Sequence, residues 1–372
     1  MLLACMNSHW RKLLLIFPVL CCCLFESHAQ TDSTNGSFDI TIEGHYGFIM
    51  AHRPSIISLQ DRHLGGVVVS ISKPSHGNKQ WQHQYHLPHV GIKYGFFGLG
   101  NKEKLGYGHT IYPYVDIPLG SGRKHFLNLQ LGWGIGYITK PFDRFENYKN
   151  MAIGSHLNAV IAINFNKDIK ITSRDKLKTG IGITHFSNGS LVIPNLGINI
   201  TTLQLHYIHS FGKKKEIAPY NQKPFHRSYR KALFIAAGMR QIPPSGGKNY
   251  FIASMSGNMF KQYSERAAAG IGLDYFYDES NNEKLRRLDV KPQPFWSASR
   301  IGLAGGYEVI MSDFSITLQL GAYIKSQLKS DGTFYSRIGI RYLFNTHMFA
   351  CVSLKTHWGK ADFGEWGVGY KF

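Results

Sequence analysis

Apolar and polar residues alternate with a period of two along most of the chain that follows residue 36. The clearest run is 127–137, where Leu, Trp, Ile and Tyr fill the odd positions and Asn, Gln and Gly fill the even ones. Successive side chains of a β-strand point to opposite faces, so this run predicts a strand with one apolar face and one small, polar face. The same alternation recurs at 314–320 and at 366–372.

About sixteen such segments follow one another with turn residues between them, and none shows a sustained 3.6-residue apolar period. A soluble β-sandwich also alternates, but three features favour a membrane barrel. The strands are long enough to span a bilayer when tilted, their apolar faces end in Tyr and Trp, and their opposite faces are Gly, Asn, Gln and Thr. We therefore predict an all-β, transmembrane antiparallel β-barrel of the outer-membrane type. It would have about 12 to 16 strands, or an eight-stranded half with further strands.

The first thirty residues have the pattern of a secretory signal peptide. Arg11 and Lys12 precede the apolar run 13–25, and small residues precede a cut after Ala29 or Gln30. The run is shorter than the roughly 20 residues of a transmembrane helix. Lipidation at one of the three cysteines 21–23 is an alternative, but the small residue that lipidation sites favour is missing before them.

The rest of the chain divides into three predicted parts. Residues 31–211 form a first strand region, and 212–229 form a basic segment that is either a linker or a long loop. Residues 230–372 form a second strand region whose last strand ends on the aromatic Phe372. A terminal strand of this kind resembles the recognition signal of bacterial outer-membrane barrels.

The composition agrees with this interpretation and limits the possible functions. Only 17% of the residues are charged, while the chain has 39 Gly, 20 Tyr and 24 Phe. The formal charge of +19 is typical of nucleic-acid binding, but an exported chain meets no nucleic acid, and the cations cluster in connecting segments such as 213–215. Those segments are either solvated loops or surfaces attracted to anionic lipid headgroups. Only Cys351 remains after the signal peptide, which excludes an intramolecular disulfide and a cysteine-based metal site.

Three polar residues interrupt an apolar face. In segment 175–188 the odd positions are apolar until His185 and Ser187, and in segment 196–211 Asn199 extends the corresponding face. Polar groups facing lipid cost free energy unless they are paired, so their presence needs an explanation. One explanation is that they mark the level of the lipid headgroups, where polar side chains are ordinary.

The other explanation is catalysis. Residues at i and i+2 on a strand face lie about 6.5 to 7 Å apart at Cβ, which side-chain rotamers can close to a hydrogen bond. An imidazole in reach of a hydroxyl removes its proton and makes it a nucleophile toward an ester. A third group bonded to the other ring nitrogen fixes the tautomer, and Asn199 would serve there as the Asn does in Cys-His-Asn enzymes.

The stretch 185–188, His-Phe-Ser-Asn, followed by 194–198, Pro-Asn-Leu-Gly-Ile, resembles the signature of the outer-membrane lipid A 3-O-deacylases (PagL-like) of the acyloxyacyl hydrolase family. The resemblance implies an eight-stranded barrel with an outward-facing Ser-His-Glu site that cleaves an ester-linked acyl chain of lipid A. It assigns the base to His185 and the nucleophile to Ser187. The acid falls on Asn199, which is a departure, since an amide carries no charge to stabilise an imidazolium.

The resemblance also covers Asn188 and Asn195, which would either form an oxyanion hole or support the loop. The similar region extends at most over 37–211, and no resemblance is recognised in 230–372. We expect an outer-membrane esterase acting on lipid A or a related lipopolysaccharide lipid, without cofactor or metal and in an undetermined oligomeric state. The rival hypothesis is a non-enzymatic barrel, a porin or scaffold whose motif has decayed.

Overall fold

In the part of the chain that the structure describes, sixteen antiparallel strands close into two separate barrels of eight strands each. The computed structural model describes residues 36–120, 127–213, 215–220 and 224–372. The predicted signal peptide, 1–30, lies outside the described residues. Among the described residues, no helix is both long and apolar enough to cross a membrane.

The first barrel closes where its first strand pairs with its eighth, from Phe38 opposite Phe211 to Ile49 opposite Ile200. Its strands are β1 (Phe38–Ile49), β2 (Leu64–Pro74), β3 (His89–Gly98), β4 (Tyr107–Leu119), β5 (Leu127–Ile138), β6 (Leu157–Lys170), β7 (Asp175–Ser187) and β8 (Ile198–Phe211). The connections carry the short helices α1 (Pro54–Ile57) and α2 (Gln80–Gln84).

The second barrel closes in the same way, by pairing of its first and last strands between Ala232 and Ala237 on one side and Trp366 and Lys371 on the other. Its strands are β9 (Ser228–Gln241), β10 (Asn249–Ser264), β11 (Ala267–Asp278), β12 (Ser299–Met311), β13 (Phe314–Ser326), β14 (Phe334–Leu343), β15 (Met348–His357) and β16 (Lys360–Lys371). Helix α3 (Ser280–Arg287) lies in the connection between β11 and β12.

Burial alternates along the strands as the sequence predicts. In β13 the polar residues Ser315, Thr317 and Gln319 are buried, whereas Leu318 and Leu320 are exposed. The apolar faces therefore form the outer surfaces of the barrels, and the polar faces line their interiors. The prediction of an outer-membrane-type β-barrel with about sixteen strands is confirmed, in the form of two eight-stranded barrels.

Ion pairs occupy the barrel interiors. In the first barrel Lys93 pairs with Glu43, and both side chains are almost fully buried. In the second, Arg337 pairs with Asp274 at 3.1 Å and with Glu365 at 3.0 Å. Charges in a low-dielectric interior need such partners, and eight strands enclose only enough space for side chains.

The two ends of each barrel differ. We call the loop end the one that carries connections 50–63, 99–106, 139–156 and 188–197 of the first barrel, and 242–248, 279–298, 327–333 and 358–359 of the second. The opposite, terminal end holds the start of β1 and the end of β16, one longer connection, 75–88 with α2, and the short turns 171–174, 265–266, 312–313 and 344–347. His185 lies near the loop end of β7.

Residues 37–211 and 215–372 belong to one compact unit, and the two barrels contact each other at both ends. At the terminal end, Gln84 donates a 2.7 Å hydrogen bond to Glu265, and the Tyr85 hydroxyl donates one of 2.8 Å to the carbonyl of Ile310. At the loop end, connection 188–197 meets the second barrel. That contact shapes the candidate site.

Candidate functional site

Phe186 fixes the orientation of the end of β7. Its ring is fully buried inside the first barrel, in an apolar cluster that includes Val160, Ile198 and Ile200. Gly136 leaves space for the ring, because a Cβ there would lie 2.6 Å from Phe186 Cδ1. Since neighbouring residues of a strand point to opposite faces, the inward Phe186 forces His185 and Ser187 outward.

His185 and Asn199 are direct partners across strands β7 and β8. The Nδ1 atom of His185 lies 2.6 Å from Oδ1 of Asn199. Gly197 lies against the imidazole, with φ of +84°. A Cβ at this position would lie 2.6 Å from His185 Cε1, so a side chain would displace the ring.

A second histidine, His52, completes this arrangement. The amide nitrogen of Asn199 lies 2.9 Å from His52 Nδ1, and His52 Nε2 lies 2.9 Å from the carbonyl oxygen of Leu196. Nothing in the sequence indicates this contact, because His52 and Asn199 are 147 residues apart.

When His52 is neutral, the donor and the acceptor of each hydrogen bond in this series are determined. A carbonyl oxygen only accepts, so the proton of His52 is on Nε2 and its Nδ1 accepts from the amide of Asn199. The amide oxygen of Asn199 then faces His185 and accepts from Nδ1–H. The Nε2 atom of His185 is left with its lone pair and makes no hydrogen bond to a described residue. This is the tautomer that a general base requires.

Loop 50–63 holds His52 in place. Ile56 of α1 and Leu59 are fully buried in the apolar cluster inside the first barrel. The backbone N–H of Met50 donates a 2.8 Å hydrogen bond to the carbonyl oxygen of Asn199. The interior packing of the barrel thus positions a residue on its outer side.

The hydroxyl of Ser187 accepts two hydrogen bonds. Asn195 Nδ2 donates one at 2.9 Å and the backbone N–H of Gly189 donates another at 3.3 Å. The side chain is 8% exposed. Among the described residues, no hydrogen bond joins Ser187 to His185, although the two side chains share one face of β7.

The two asparagines of the motif have different surroundings. Asn188 Nδ2 donates to Ser155 Oγ at 2.8 Å and to the carbonyl of Val192 at 2.9 Å, which are contacts within the loops. Asn195 accepts from the Asn188 backbone N–H at 3.1 Å and donates to Ser187. Asn188 therefore braces the loop, whereas Asn195 presents a donor at the hydroxyl.

The second barrel holds the same loop from the other side. The backbone N–H of Gln241 donates to the carbonyl of Ser190 at 2.8 Å, and the Gln241 side chain accepts from the backbone N–H of Ile193 at 3.1 Å. Ser190 Oγ donates to the carbonyl of Ala361 at 3.0 Å, and the N–H of Gly364 donates to the carbonyl of Gly189 at 3.3 Å. Gly189 is thus bonded both to the second barrel and to Ser187.

Two groups of described residues offer ligand atoms close enough for a metal ion, one inside the first barrel and one at the loop end of the second. The first is Glu43, His45 and His206, where the ammonium of Lys93 already contacts the carboxylate of Glu43. The second is Asp331, His357 and Asp362, whose carboxylates pair with Lys284, Arg300, Arg240 and Lys355. Neither group contacts His185 or Ser187.

Comparison with known families finds two matches. Residues 65–208 match the family "Lipid A 3-O-deacylase (PagL)", and residues 227–372 match "Acyloxyacyl hydrolase, C-terminal domain". The expectation that 230–372 resembles no such family is therefore wrong. The matched residues include the whole range of the second barrel, from 228 to 371, so this barrel is similar to that C-terminal domain over its full length.

No curated protein matches the chain. Among solved structures, the KdgM porin is 6% identical at a TM-score of 0.18, over 90% of this chain and 98% of the porin. A triple mutant of the Rhodopseudomonas blastica porin is 8% identical at 0.20, over 90% and 99%. An outer membrane channel from Pseudomonas putida F1 is 9% identical at 0.19, over 93% and 97%.

The contacts of Gln241 lead to a first prediction. Gln241→Ala removes the acceptor of the Ile193 N–H, so the amides of 189–193 should exchange with deuterium at least several-fold faster, because the loop then opens locally more often. The matched control is Gln327→Ala, since Gln327 bonds only within the second barrel, to Gln293 and Lys291. Equal exchange in wild type and Gln241→Ala, measured by mass spectrometry in detergent, would show that the second barrel does not hold the loop.

Proposed function

We propose that this chain, whose first barrel belongs to the lipid A 3-O-deacylase family and whose second is an acyloxyacyl hydrolase C-terminal domain, is a Ser-His esterase. It is a protein of the outer membrane, and the family implies lipid A as its substrate. The reaction would remove an ester-linked acyl chain from lipid A or a related envelope lipid. The observation that carries the proposal is the hydrogen-bonded series from the Leu196 carbonyl through His52 and Asn199 to His185, beside Ser187.

The position of the site suits a lipid substrate. His185 and Ser187 lie on the outer face of the barrel near its loop end, above the exposed side chains of Ile181 and Ile183. Acyl chains lie along such an apolar surface while the ester stays at the headgroup level. A substrate therefore reaches the hydroxyl from within the membrane.

The chemistry follows the two steps of acyl transfer. His185 Nε2 takes the proton of Ser187 as Oγ bonds to the ester carbonyl carbon, and the C–O bond to the sugar breaks as the imidazolium returns that proton to the leaving oxygen. Water then adds to the acyl-serine, with His185 again taking a proton, and the fatty acid leaves as Ser187 is restored. The two side chains close their separation by rotation when substrate binds, since catalytic hydrogen bonds are often long without substrate.

Asn195 and Gly189 are the donors we assign to the oxyanion. Both already direct N–H groups at Ser187 Oγ. A tetrahedral intermediate places its negative oxygen next to that atom, within the range of the same donors. Donors fixed in advance of the reaction contribute about 3 to 4 kcal/mol each in comparable sites.

The rival hypothesis of a porin is less well supported. An eight-stranded barrel encloses too little space for a wide channel, and buried ion pairs occupy both interiors. A scaffold with a decayed site would have no reason to keep the hydrogen-bond series or the close approach of Gly197 to the imidazole.

The central prediction concerns the nucleophile and base. Ser187→Ala and His185→Ala should each lower deacylation by roughly three to six orders of magnitude, and the double mutant should be no worse, because members of one catalytic unit are not additive. The measurement is mass spectrometry of lipid A incubated with each variant. Ser173→Ala and His109→Ala are the controls, since both residues lie in the first barrel away from the site. Full activity of Ser187→Ala would refute the assignment.

A second prediction tests the neutral hydrogen-bond series. In His52→Ala the amide of Asn199 is free to rotate and present its NH₂ to His185, so kcat should fall about ten- to a hundredfold while KM stays constant. Asn199→Glu should preserve or raise turnover by restoring the charge that stabilises the imidazolium. The two oxygens of a carboxylate are equivalent, so a carboxylate at this position would not need His52 to orient it. His52→Ala should therefore lower kcat much less in the Asn199→Glu background. An equal loss of kcat in both backgrounds would contradict the role of His52.

A third prediction concerns orientation. Outer-membrane barrels carry short periplasmic turns and longer extracellular loops, so the loop end and His185 should face the outside. Phe145 is 85% exposed in loop 139–156, and Ser173 is exposed in turn 171–174 at the other end. A membrane-impermeant maleimide should label Phe145→Cys on intact cells, but Ser173→Cys only after the outer membrane is disrupted. Cys351 is buried, so labelling of the wild-type protein gives the background signal. The reverse labelling pattern would invert the proposed orientation.

A further inference from the structure

The second barrel has a cavity at its terminal end, lined by residues of β9, β10 and β12 to β16. Its wall includes Arg230, Glu308, Ser315, Arg341 and Lys371. In all, four cationic and two anionic side chains line the cavity, which leaves a formal charge of +2. Its surroundings favour an anion.

Arg341 is the unusual member of this wall. Its side chain points inward and is 8% exposed, yet it makes no hydrogen bond and no ion pair with any described residue. The other inward-facing arginines described in this barrel each pair with a carboxylate. They are Arg230, Arg240, Arg300 and Arg337.

Aromatic rings flank the Arg341 guanidinium. Its central carbon lies 5.2 Å from the ring centre of Phe234 and 5.1 Å from that of Phe349. Rings attract the cation and hold its position, but they offer no hydrogen-bond acceptor of the carboxylate kind. The five N–H donors of the guanidinium thus remain available to a planar or tetrahedral oxyanion.

Glu308 lies close enough to attract Arg341 electrostatically, but it makes no hydrogen bond to the Arg341 guanidinium. Its carboxylate pairs with Arg230 at 3.0 Å from Nε. A buried cation without a hydrogen-bonded partner costs free energy, and a bound anion that accepts its hydrogen bonds would remove that cost. Arg230 and Lys371 add further positive charge beside Arg341.

We propose that this cavity, which we call the Arg341 pocket, binds a phosphate group through the guanidinium of Arg341. In the orientation proposed above the pocket opens toward the periplasm, where either free phosphate or the headgroup of an inner-leaflet phospholipid would supply the group. Arginine recognises phosphate by two parallel N–H···O bonds, which matches an unpaired guanidinium held between rings. The pocket is in the other barrel from His185, and its function does not depend on the esterase reaction.

The test uses the full mature chain in detergent at constant ionic strength, titrated with inorganic phosphate and followed by ³¹P NMR and thermal unfolding. Wild type should bind phosphate and unfold at a higher temperature in its presence. Arg341→Gln should weaken binding at least tenfold and lose the thermal shift, and Arg341→Lys, which keeps the charge but not the paired donors, should fall between them. Heat-modifiable gel mobility verifies that each variant is folded. The control is Arg286→Gln, an exposed cation of α3 at the opposite end.

A second arm distinguishes the source of the phosphate. The same proteins are placed in phosphatidylcholine nanodiscs with and without phosphatidylglycerol. A thermal shift that depends on phosphatidylglycerol and on Arg341 supports a headgroup ligand, whereas one that depends on free phosphate and Arg341 supports a soluble ligand. The proposal is overturned if wild type responds to neither probe, if Arg341→Gln responds as wild type does, or if Arg286→Gln loses the response equally.

Discussion

The alternation of side chains in a closed antiparallel barrel is the constraint on which the rest of this structure depends. Closure pairs the backbone of each strand with two neighbours, so no strand can rotate to expose its other face. Once Phe186 is buried inside the first barrel, His185 and Ser187 are held on the lipid side. The candidate site is therefore built on a rigid wall, and under the proposed function the acyl chains of a substrate would reach it without entering the barrel.

That wall supplies only part of the site. Strands β7 and β8 present the proposed base and nucleophile together with Asn199, while the other groups hydrogen-bonded to them come from loops. His52 lies in loop 50–63, the Leu196 carbonyl and Asn195 lie in loop 188–197, and the second barrel contacts the latter loop through Gln241. The neutral series through Asn199 fixes the tautomer of His185 without a carboxylate. A buried negative charge, with its desolvation cost at the membrane surface, is thereby avoided.

The parts of this arrangement that depend on local pattern could be predicted from the sequence. A period of two is a property of each strand, so the outward position of His185, Ser187 and Asn199 follows from counting residues. The number of barrels could not be predicted in this way. It depends on the pairing of β8 with β1, in which Phe211 lies opposite Phe38. The alternation of apolar and polar residues is the same whichever distant strand β8 pairs with, so it does not indicate this pairing. His52 was missed for the same reason, and so were the contacts of Gly189 and Ser190 with the second barrel.

The most direct measurement of the central claim is the capture of the nucleophile by a serine-reactive alkyl phosphonate carrying an acyl-like chain, followed by peptide mass spectrometry. The reagent reacts fastest with a hydroxyl that a base has activated. We expect a single adduct on Ser187 in the wild-type protein, and its absence in His185→Ala. An adduct on another residue, or equal modification of Ser187 with and without His185, would contradict the account.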